Sequence, residues 1–312
     1  MSQKSMALGK RERKIVTASK VAVYGNALLS VLKIVVGIMA GSLAVVADGI
    51  DSASDVLTSL ITLITAHIIA RPPNPKYPFG YNKADTLASK ILAFIIFFAG
   101  AQLAISTFGK LIHPEPRAIP KTIAVYIVIV SVIGKQLLAL YLKKAGKQQQ
   151  SSMLIANAKN MQSDVLISFS VLVGLTATFI FKMPLLDVVT AFAVSGWIMV
   201  TALKIFIESG RDLMDGVDDP EIYKNVIAAC GRVKGVSHPH RIRVRKMAHL
   251  YIVALDIELP GHLSLQESHT ISHQVEKAIR REVRNVYDVV VHTEPEGTRD
   301  EEEAFGVSES NL

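Results

Sequence analysis

Two aspartates with helical spacing stand inside a long apolar run. Asp51 and Asp55 are four residues apart, and residues 41–70 are otherwise typical of a membrane-spanning helix. At this spacing the two side chains lie on one helical face. A carboxylate in hydrocarbon costs roughly 2.5 kcal/mol or more. The pair therefore predicts a partner that carries positive charge. Asp48, one turn earlier, is a secondary ligand, a proton acceptor or a polar residue near the helix end.

A second polar pair occupies another apolar run. Asn160 and Asp164 are also four residues apart, so they too share one helical face. Two helices that each present two oxygen ligands can form a pocket that suits a divalent cation. The alternative for Asn160 or Ser163 alone is a hydrogen bond that joins helices. Three buried carboxylates, however, repel one another unless they are protonated or metal-bound, and by composition the nearest lysines are Lys33 and Lys90.

The composition indicates a membrane protein. Half of the 312 residues are hydrophobic, which is too many for an ordinary soluble domain. The net charge of +7 comes mainly from short basic segments beside apolar runs, a pattern that reports topology and not nucleic-acid binding. A single cysteine, Cys230, excludes an intramolecular disulfide and fits a domain in the cytosol.

Six apolar segments each approach the roughly 20 residues that a helix needs to cross a bilayer. They are residues 19–40, 43–70, 84–109, 119–142, 153–181 and 184–207. Lysine and arginine are enriched before the first segment and after the second and fourth. This bias predicts that both termini lie in the cytosol.

The remainder of the chain is polar enough to fold in water. Helix, strand, strand, helix and strand follow one another after residue 208, which predicts a small α+β domain. The fold class is therefore mainly α, with six transmembrane helices followed by a cytosolic α+β domain. The predicted divisions are a basic cytosolic N-terminus at 1–18, a transmembrane domain at 19–208, a cytosolic domain at 209–296 and an acidic, disordered tail at 297–312.

These features resemble the cation diffusion facilitator family. The pairs Asp51/Asp55 and Asn160/Asp164 are similar to the family's transport site, and residues 77–85 are similar to its aromatic-Gly-x-x-Lys-Ala-acid signature. The C-terminal order of elements matches the family's metallochaperone-like (ferredoxin-like) domain. The resemblance implies a homodimer in the plasma or inner membrane. It also implies export of divalent transition metals from the cytosol, usually in exchange for protons, with no other cofactor.

One departure from the family pattern bears on the metal. Zinc-moving relatives typically carry histidine where Asn160 stands. Three carboxylates and an amide oxygen form a harder ligand set, which favours Mn²⁺ and leaves Fe²⁺, Co²⁺ and Zn²⁺ open. Without an imidazole, proton coupling must depend on the aspartates. Alternating access by rocking of the second and fifth spans would expose the site to each side in turn.

The resemblance also extends to the first cytosolic loop. The resemblance implies that Lys83 forms a charge interlock of the dimer with Asp215 at the start of the C-terminal domain; the alternative is a solvated lysine. Some relatives bind an extra metal in the same loop. The matching positions here are Asn74, Tyr77 and Tyr81, which make a poor ligand set, so we expect no metal there.

A regulatory metal site in the C-terminal domain is implied by the same resemblance. Its residues are His240, Asp256, His269, His292 and Glu294. Alternation along the last strand puts His292 and Glu294 on one face, and Asp256 is expected on the polar face of its own strand. A solvated helix face is the alternative for His269.

Two other functions are alternatives for the same residues: a Mg²⁺-dependent membrane transferase and a membrane-anchored metal sensor. The spacing of Asp48, Asp51 and Asp55 resembles acidic motifs with which membrane transferases hold Mg²⁺ against a pyrophosphate, but such sites lie at the membrane face among basic residues. A membrane-anchored metal sensor would use the C-terminal domain and leave the buried carboxylates unexplained. The sequence therefore favours a secondary transporter over an enzyme. Its expected partners are the lipid bilayer, protons, divalent cations and a second copy of the chain, without nucleic acid.

Overall fold

The structure is a computed structural model, and it describes residues 3–113, 118–149, 151–217, 219–247, 250–297, 305–308 and 312. The chain forms two compact units. The helical unit consists of Met1–His67 with Ala88–Phe206, and the C-terminal unit consists of Ile68–Leu87 with Ile207–Leu312.

Among the described residues, six helices are long and apolar enough to cross a membrane, which confirms the six predicted spans. They are α1 Gln3–Ala40, α2 Leu43–Ile69, α3 Ala84–Ile112, α4 Ile123–Gln148, α5 Ser152–Phe181 and α6 Leu185–Leu213. Helix α4 continues past its predicted end at 142, because the lysines, alanine and glutamine that follow are mostly good helix formers.

Small residues let the helices of the helical unit approach closely. A Cβ atom on Gly49 of α2 would lie 2.6 Å from the Cγ1 atom of Ile34 and 3.2 Å from the Cβ atom of Lys33, both on α1. Small residues commonly mediate such contacts between membrane helices. Large side chains such as Phe94 and Leu166 are instead exposed on the outside, where lipid would cover them. The close approach at Gly49 brings charged residues of α1 and α2 together.

The start of α2 is held by an aspartate from α6. The Ser42 hydroxyl donates to Asp187 Oδ1 at 2.6 Å, and the Leu43 main-chain N–H donates to Asp187 Oδ2 at 2.7 Å. A carboxylate at a helix N-terminus satisfies free N–H groups and is favoured by the helix dipole. The position of α2, and therefore of its aspartates, is fixed at this end.

The C-terminal unit contains the predicted α+β fold. Its elements are α7 Glu221–Cys230, β1 Ser237–Met247, β2 Leu250–Leu259, α8 Leu265–Glu282 and β3 Val286–Pro295. In the described residues the strands form one sheet in the order β1-β2-β3, with β2 antiparallel to β1 and parallel to β3. Val226 and Ile279 from the two helices share a core with Val253 and Leu255 of β2.

The environment of Asp256 differs from a solvated polar face. Its side chain is almost completely buried, as is that of Glu258. Strand β2 is central in the sheet, and Arg241 Nη1 lies 2.8 Å from Asp256 Oδ2. Alternation along β2 puts Asp256 on the face away from the hydrophobic core, as expected. Neighbouring side chains nevertheless cover the Asp256 carboxylate.

The acidic composition of residues 297–312 predicts a disordered tail. In the structure, however, one part of this tail pairs with strand β1. Val307 and Ile242 of β1 exchange two main-chain hydrogen bonds of 2.9 Å. Beside them the Phe305 ring lies 4.6 Å from the guanidinium carbon of Arg241. Residues 298–304 and 309–311 lie outside the described residues. Part of the tail is therefore attached to the edge strand.

Lys83 and Asp215 are in contact within a single chain. Lys83 Nζ donates to Asp215 Oδ1 and to the Asp212 main-chain oxygen, both at 2.6 Å, and Arg245 Nε donates to Asp215 Oδ2 at 2.8 Å. Asp215 has φ of 59°, which non-glycine residues seldom adopt. Partial burial alone would raise the pKa of Asp215, but the Lys83 hydrogen bond and the charges of Lys83 and Arg245 outweigh it and lower that pKa.

This lowered pKa predicts how the contact depends on pH. Because the folded-state pKa is depressed, the stabilisation is present above the unfolded value, about 3.9, and is lost as pH falls through the folded value. We expect Lys83→Met to lower the melting temperature of the full chain at about pH 7, and to have a smaller effect at about pH 3, below the unfolded-state pKa of Asp215. Thermal unfolding in detergent measures both.

Lys76→Met is the matched control, since the Lys76 ammonium contacts only the Tyr77 ring among the interactions seen in the described residues. Its melting temperature should follow the wild type across the pH range. An equal destabilisation by Lys83→Met at both pH values would show that the charge of Asp215 is not what Lys83 stabilises.

Candidate metal centre

Carboxylates from α2 and α5 converge in the helical unit. Lys135 Nζ lies 3.7 Å from Asp55 Oδ2 and 3.5 Å from Asp164 Oδ2, so both carboxylates face the same ammonium group. Asp51, one turn before Asp55, interacts electrostatically with both Asp164 and Lys135. The structure thus brings together the three aspartates that helical spacing and burial had selected.

Asn160 lies at the margin of this group. It precedes Asp164 by one turn of α5, but its side chain is exposed, and no contact with the three carboxylates is seen in the described part of the chain. Spacing of four residues puts Asn160 on the same helical face as Asp164, but Asp164 is buried whereas Asn160 is exposed. Rotation of the side chain, which spacing cannot predict, decides whether its amide oxygen reaches the pocket.

Lys135 of α4 is the residue that sequence reasoning missed. Its side chain is completely buried. A lysine inside the fourth apolar run is as costly as an aspartate inside the second. The apolar context that distinguishes the aspartates therefore distinguishes Lys135 as well, whereas composition alone pointed to Lys33 and Lys90. The Lys90 ammonium instead lies 4.7 Å from the centre of the Phe206 ring.

Asp48 belongs to a separate ion pair. Its Oδ2 lies 2.8 Å from Lys33 Nζ, and both side chains are fully buried. Lys33 Nζ also donates to the hydroxyls of Ser52 and Ser168 at 3.0 Å each, and the Ser168 hydroxyl donates to Asp48 Oδ1 at 2.7 Å. Direct ligation of a metal by Asp48 would require this network to break.

The main group has the chemistry of a divalent-cation site. Asp55 Oδ2, Asp164 Oδ2 and Lys135 Nζ are buried, and in the described residues none makes a hydrogen bond of good geometry. Buried polar atoms are usually hydrogen-bonded, so these atoms are suited to another partner. When all are ionised, three aspartates and one lysine leave two negative charges, which matches a divalent ion.

The C-terminal domain assembles part of the predicted regulatory site. The possible donor atoms of His240, Asp256 and Glu294 lie within 4.8 Å of one another. His292 Nε2 approaches Glu294 Oε1 at 3.5 Å, although His292 is largely exposed. His269 is not brought into this group among the described residues; its ring lies 4.7 Å from that of His273.

A neighbouring group was not predicted. His238 Nδ1 lies 3.0 Å from Glu258 Oε1, and the possible donor atoms of His238, His240 and Glu258 also lie within 4.8 Å of one another. The β1–β2 register shifts on both sides of His240, and His238 has φ of 42°. Such irregularities re-aim side chains in ways that alternation does not predict.

Arg241 limits what this surface can bind. Its guanidinium contacts Asp256 and also lies 3.8 Å from Glu294 Oε1. Arginine stays protonated in proteins, so a metal ion at these carboxylates would have to compete with a permanent positive charge.

Asn74, Tyr77 and Tyr81 contact one another in the loop between α2 and α3. They stand at the positions where some family members are expected to bind an extra metal. The Asn74 side-chain amide donates to the Tyr81 hydroxyl at 2.8 Å, and the Tyr77 and Tyr81 rings lie 4.7 Å apart. Asn74 Oδ1 also accepts from the main-chain N–H of Tyr77 at 3.0 Å. These contacts give the loop a local structure.

Both parts of the chain match known families. Residues 19–214 match the family described as the cation efflux transmembrane domain, and residues 219–296 match the one described as the cation efflux protein, cytoplasmic domain. The chain is 31% identical over 277 residues to the manganese efflux system protein MneS of Bacillus subtilis, covering 88% of this chain and 93% of that protein.

Two further relatives are similar over most of their length. The manganese efflux system protein MneP of Bacillus subtilis is 27% identical, with 88% of this chain and 94% of that protein covered. The cation-efflux pump FieF of Cronobacter sakazakii is 27% identical, with 91% and 93% covered. With carboxylates converging inside six membrane helices and both domains matched, the chain belongs to the cation diffusion facilitator family of divalent cation efflux transporters.

Proposed function

We propose that this protein exports divalent transition metals from the cytosol, with a preference for Mn²⁺, by exchange for protons. The observation that carries the proposal is the convergence of Asp55 and Asp164 from α2 and α5, with Asp51 within electrostatic range. Buried carboxylates on separate membrane helices can bind an ion where the helices meet, and rocking of these helices would expose the bound ion to each side of the membrane in turn.

The proposed metal follows from the ligands. Carboxylate and amide oxygens suit Mn²⁺, whereas imidazole and thiolate suit Zn²⁺ better. Two relatives named as manganese efflux systems support the same preference. Asn160 would have to turn inward from its exposed position to complete the set. Fe²⁺, Co²⁺ and Zn²⁺ are expected to be weaker substrates.

Proton exchange follows from competition for the same oxygens. A carboxylate that ligates a metal must be deprotonated, so metal binding releases protons and metal loss allows them to return. Asp51, Asp55 and Asp164 supply the carboxylate oxygens of the pocket. Alternating exposure of the pocket to the two sides would then couple metal exit to proton entry.

The role of the three aspartates can be tested by transport. We expect Asp51→Asn to lower Mn²⁺ uptake into proteoliposomes under a pH gradient by about a hundredfold, since loss even of a group that only supports a metal ligand costs about 10–100-fold. Thr58→Ala is a matched control, because this exposed hydroxyl bonds only its own helix, at the Ser54 carbonyl, in the described contacts. Normal transport by Asp51→Asn would contradict the site, and uptake without proton counter-movement would contradict the exchange.

Metal preference should depend on Asn160. Replacing its amide by imidazole in Asn160→His introduces a ligand that suits Zn²⁺, so competitive uptake of Mn²⁺, Zn²⁺, Fe²⁺ and Co²⁺ should shift toward Zn²⁺. Asn157→His adds the same ring elsewhere on the exposed side of α5 and serves as the control. An unchanged preference in Asn160→His would contradict the selectivity argument.

We further propose that the protein works as a homodimer in the cell membrane, with both termini in the cytosol. The match of residues 219–296 to a cytoplasmic domain supports this orientation. In this arrangement His240, Asp256 and Glu294, with His292 beside them, would bind a regulatory metal. Metal would have to displace Arg241, so the site is expected to respond only to high metal levels.

Binding measurements can isolate this second site. In the full chain carrying Asp51→Asn, residual Mn²⁺ or Zn²⁺ binding should report the C-terminal domain, and adding His240→Ala should remove it. His269→Ala is the control, because His269 lies outside the group of possible donors in the described residues. If His240→Ala leaves the residual binding unchanged, the regulatory metal is not held there.

A further inference from the structure

The cation nearest the carboxylates is part of the protein. Lys135 projects from α4, a helix that carries none of the proposed ligands, and its ammonium group lies between Asp55 of α2 and Asp164 of α5. The side chain is fully buried, so its charge is neither solvated by water nor paired with lipid headgroups. Its charge must be balanced by these carboxylates.

A second buried lysine shows what a tightly held ion pair looks like in the same unit. Lys33 approaches Asp48 at 2.8 Å and also donates to two serine hydroxyls at 3.0 Å. Lys135 lies at 3.5 and 3.7 Å from its carboxylates and makes no hydrogen bond of good geometry in the described residues. Charge-assisted hydrogen bonds are normally about 2.7–2.9 Å long. Lys33 is therefore locked in place, whereas Lys135 is held mainly by charge.

We propose that Lys135 is a tethered counter-ion of the transport site, which neutralises the carboxylates between transport events and is displaced when a divalent ion binds. This inference rests on the proposed function of Asp51, Asp55 and Asp164. A protonated lysine cannot ligate a metal, since it has donors but no acceptor. The ion and the ammonium group therefore compete for the same oxygens.

This competition has two consequences for transport. It weakens metal binding, because each ion must displace an attached cation whose effective concentration at the site is high. It also speeds metal release, because the flexible four-carbon stem of Lys135 can return the ammonium group to the carboxylates as the ion leaves. A buried, uncompensated group of carboxylates is never formed.

Two substitutions at Lys135 should act in opposite directions. Lys135→Met keeps an unbranched stem and removes the charge, so Mn²⁺ should bind about tenfold more tightly or better to the purified full chain, a factor set by the strength of close charge interactions. Lys135→Arg keeps the charge and can hold two carboxylates with a planar fork, so it should weaken Mn²⁺ binding.

Transport kinetics separate this role from damage to the fold. In proteoliposomes Lys135→Met should lower both KM and the maximal rate, because tighter binding slows release. Structural damage lowers the rate without lowering KM. Lys90→Met is the matched control, since this half-buried lysine lies against Phe206 and should leave both constants unchanged.

Asp51→Asn and Lys135→Met, measured separately, distinguish the two proposals. If Asp51→Asn transports Mn²⁺ as well as the wild type does, the proposed site is wrong. If Asp51→Asn abolishes Mn²⁺ transport while Lys135→Met binds Mn²⁺ no more tightly than the wild type, only the counter-ion proposal is overturned. Should Lys135→Met fail to fold, Lys135→Arg decides: weaker Mn²⁺ binding supports displacement, and unchanged binding overturns it.

Discussion

The high cost of burying charge in an apolar helix bundle governs the arrangement of this protein. An ionised group loses several kcal/mol of solvation when it leaves water, and attraction to a partner offsets this only when the geometry is good. The bundle meets this constraint in two ways. Asp48 is paired with Lys33 at 2.8 Å and accepts a hydrogen bond from Ser168, whereas Asp55 and Asp164 share the looser contact with Lys135. In the second arrangement, among the described residues, the ammonium group and both facing oxygens lack a hydrogen bond of good geometry, so another ion can use these oxygens.

Each helix around the carboxylate pocket makes a different contribution to it. Helices α2 and α5 supply the carboxylates, α4 supplies the positive charge between them, and α6 fixes the start of α2 through Asp187. The C-terminal domain has its own polar surface, where Arg241 neutralises Asp256 and Glu294 in much the same way. In both units an attached cation balances the acidic residues that could hold a metal.

Sequence reasoning succeeded where a single physical rule dominates. The length of apolar runs predicted six spans, helical spacing selected Asp51, Asp55 and Asp164, and the order of elements predicted the C-terminal fold. It missed Lys135 because the negative charge of the aspartates was assigned to a metal ion, although a lysine in another span could balance it. It also missed the His238 group, which depends on a local irregularity of β1. Contacts made by irregular backbone or across several helices leave no periodic signal in the sequence.

The Lys33–Asp48 pair also constrains which parts of the bundle can move together. Lys33 belongs to α1, Asp48 and Ser52 to α2, and Ser168 to α5, so one buried network joins three helices. Leaving one member of a buried ion pair uncompensated costs about 3–5 kcal/mol, so a motion that pulled Lys33 away from Asp48 would be strongly disfavoured. A rocking motion that keeps the network intact must therefore carry α1, α2 and α5 as one rigid body.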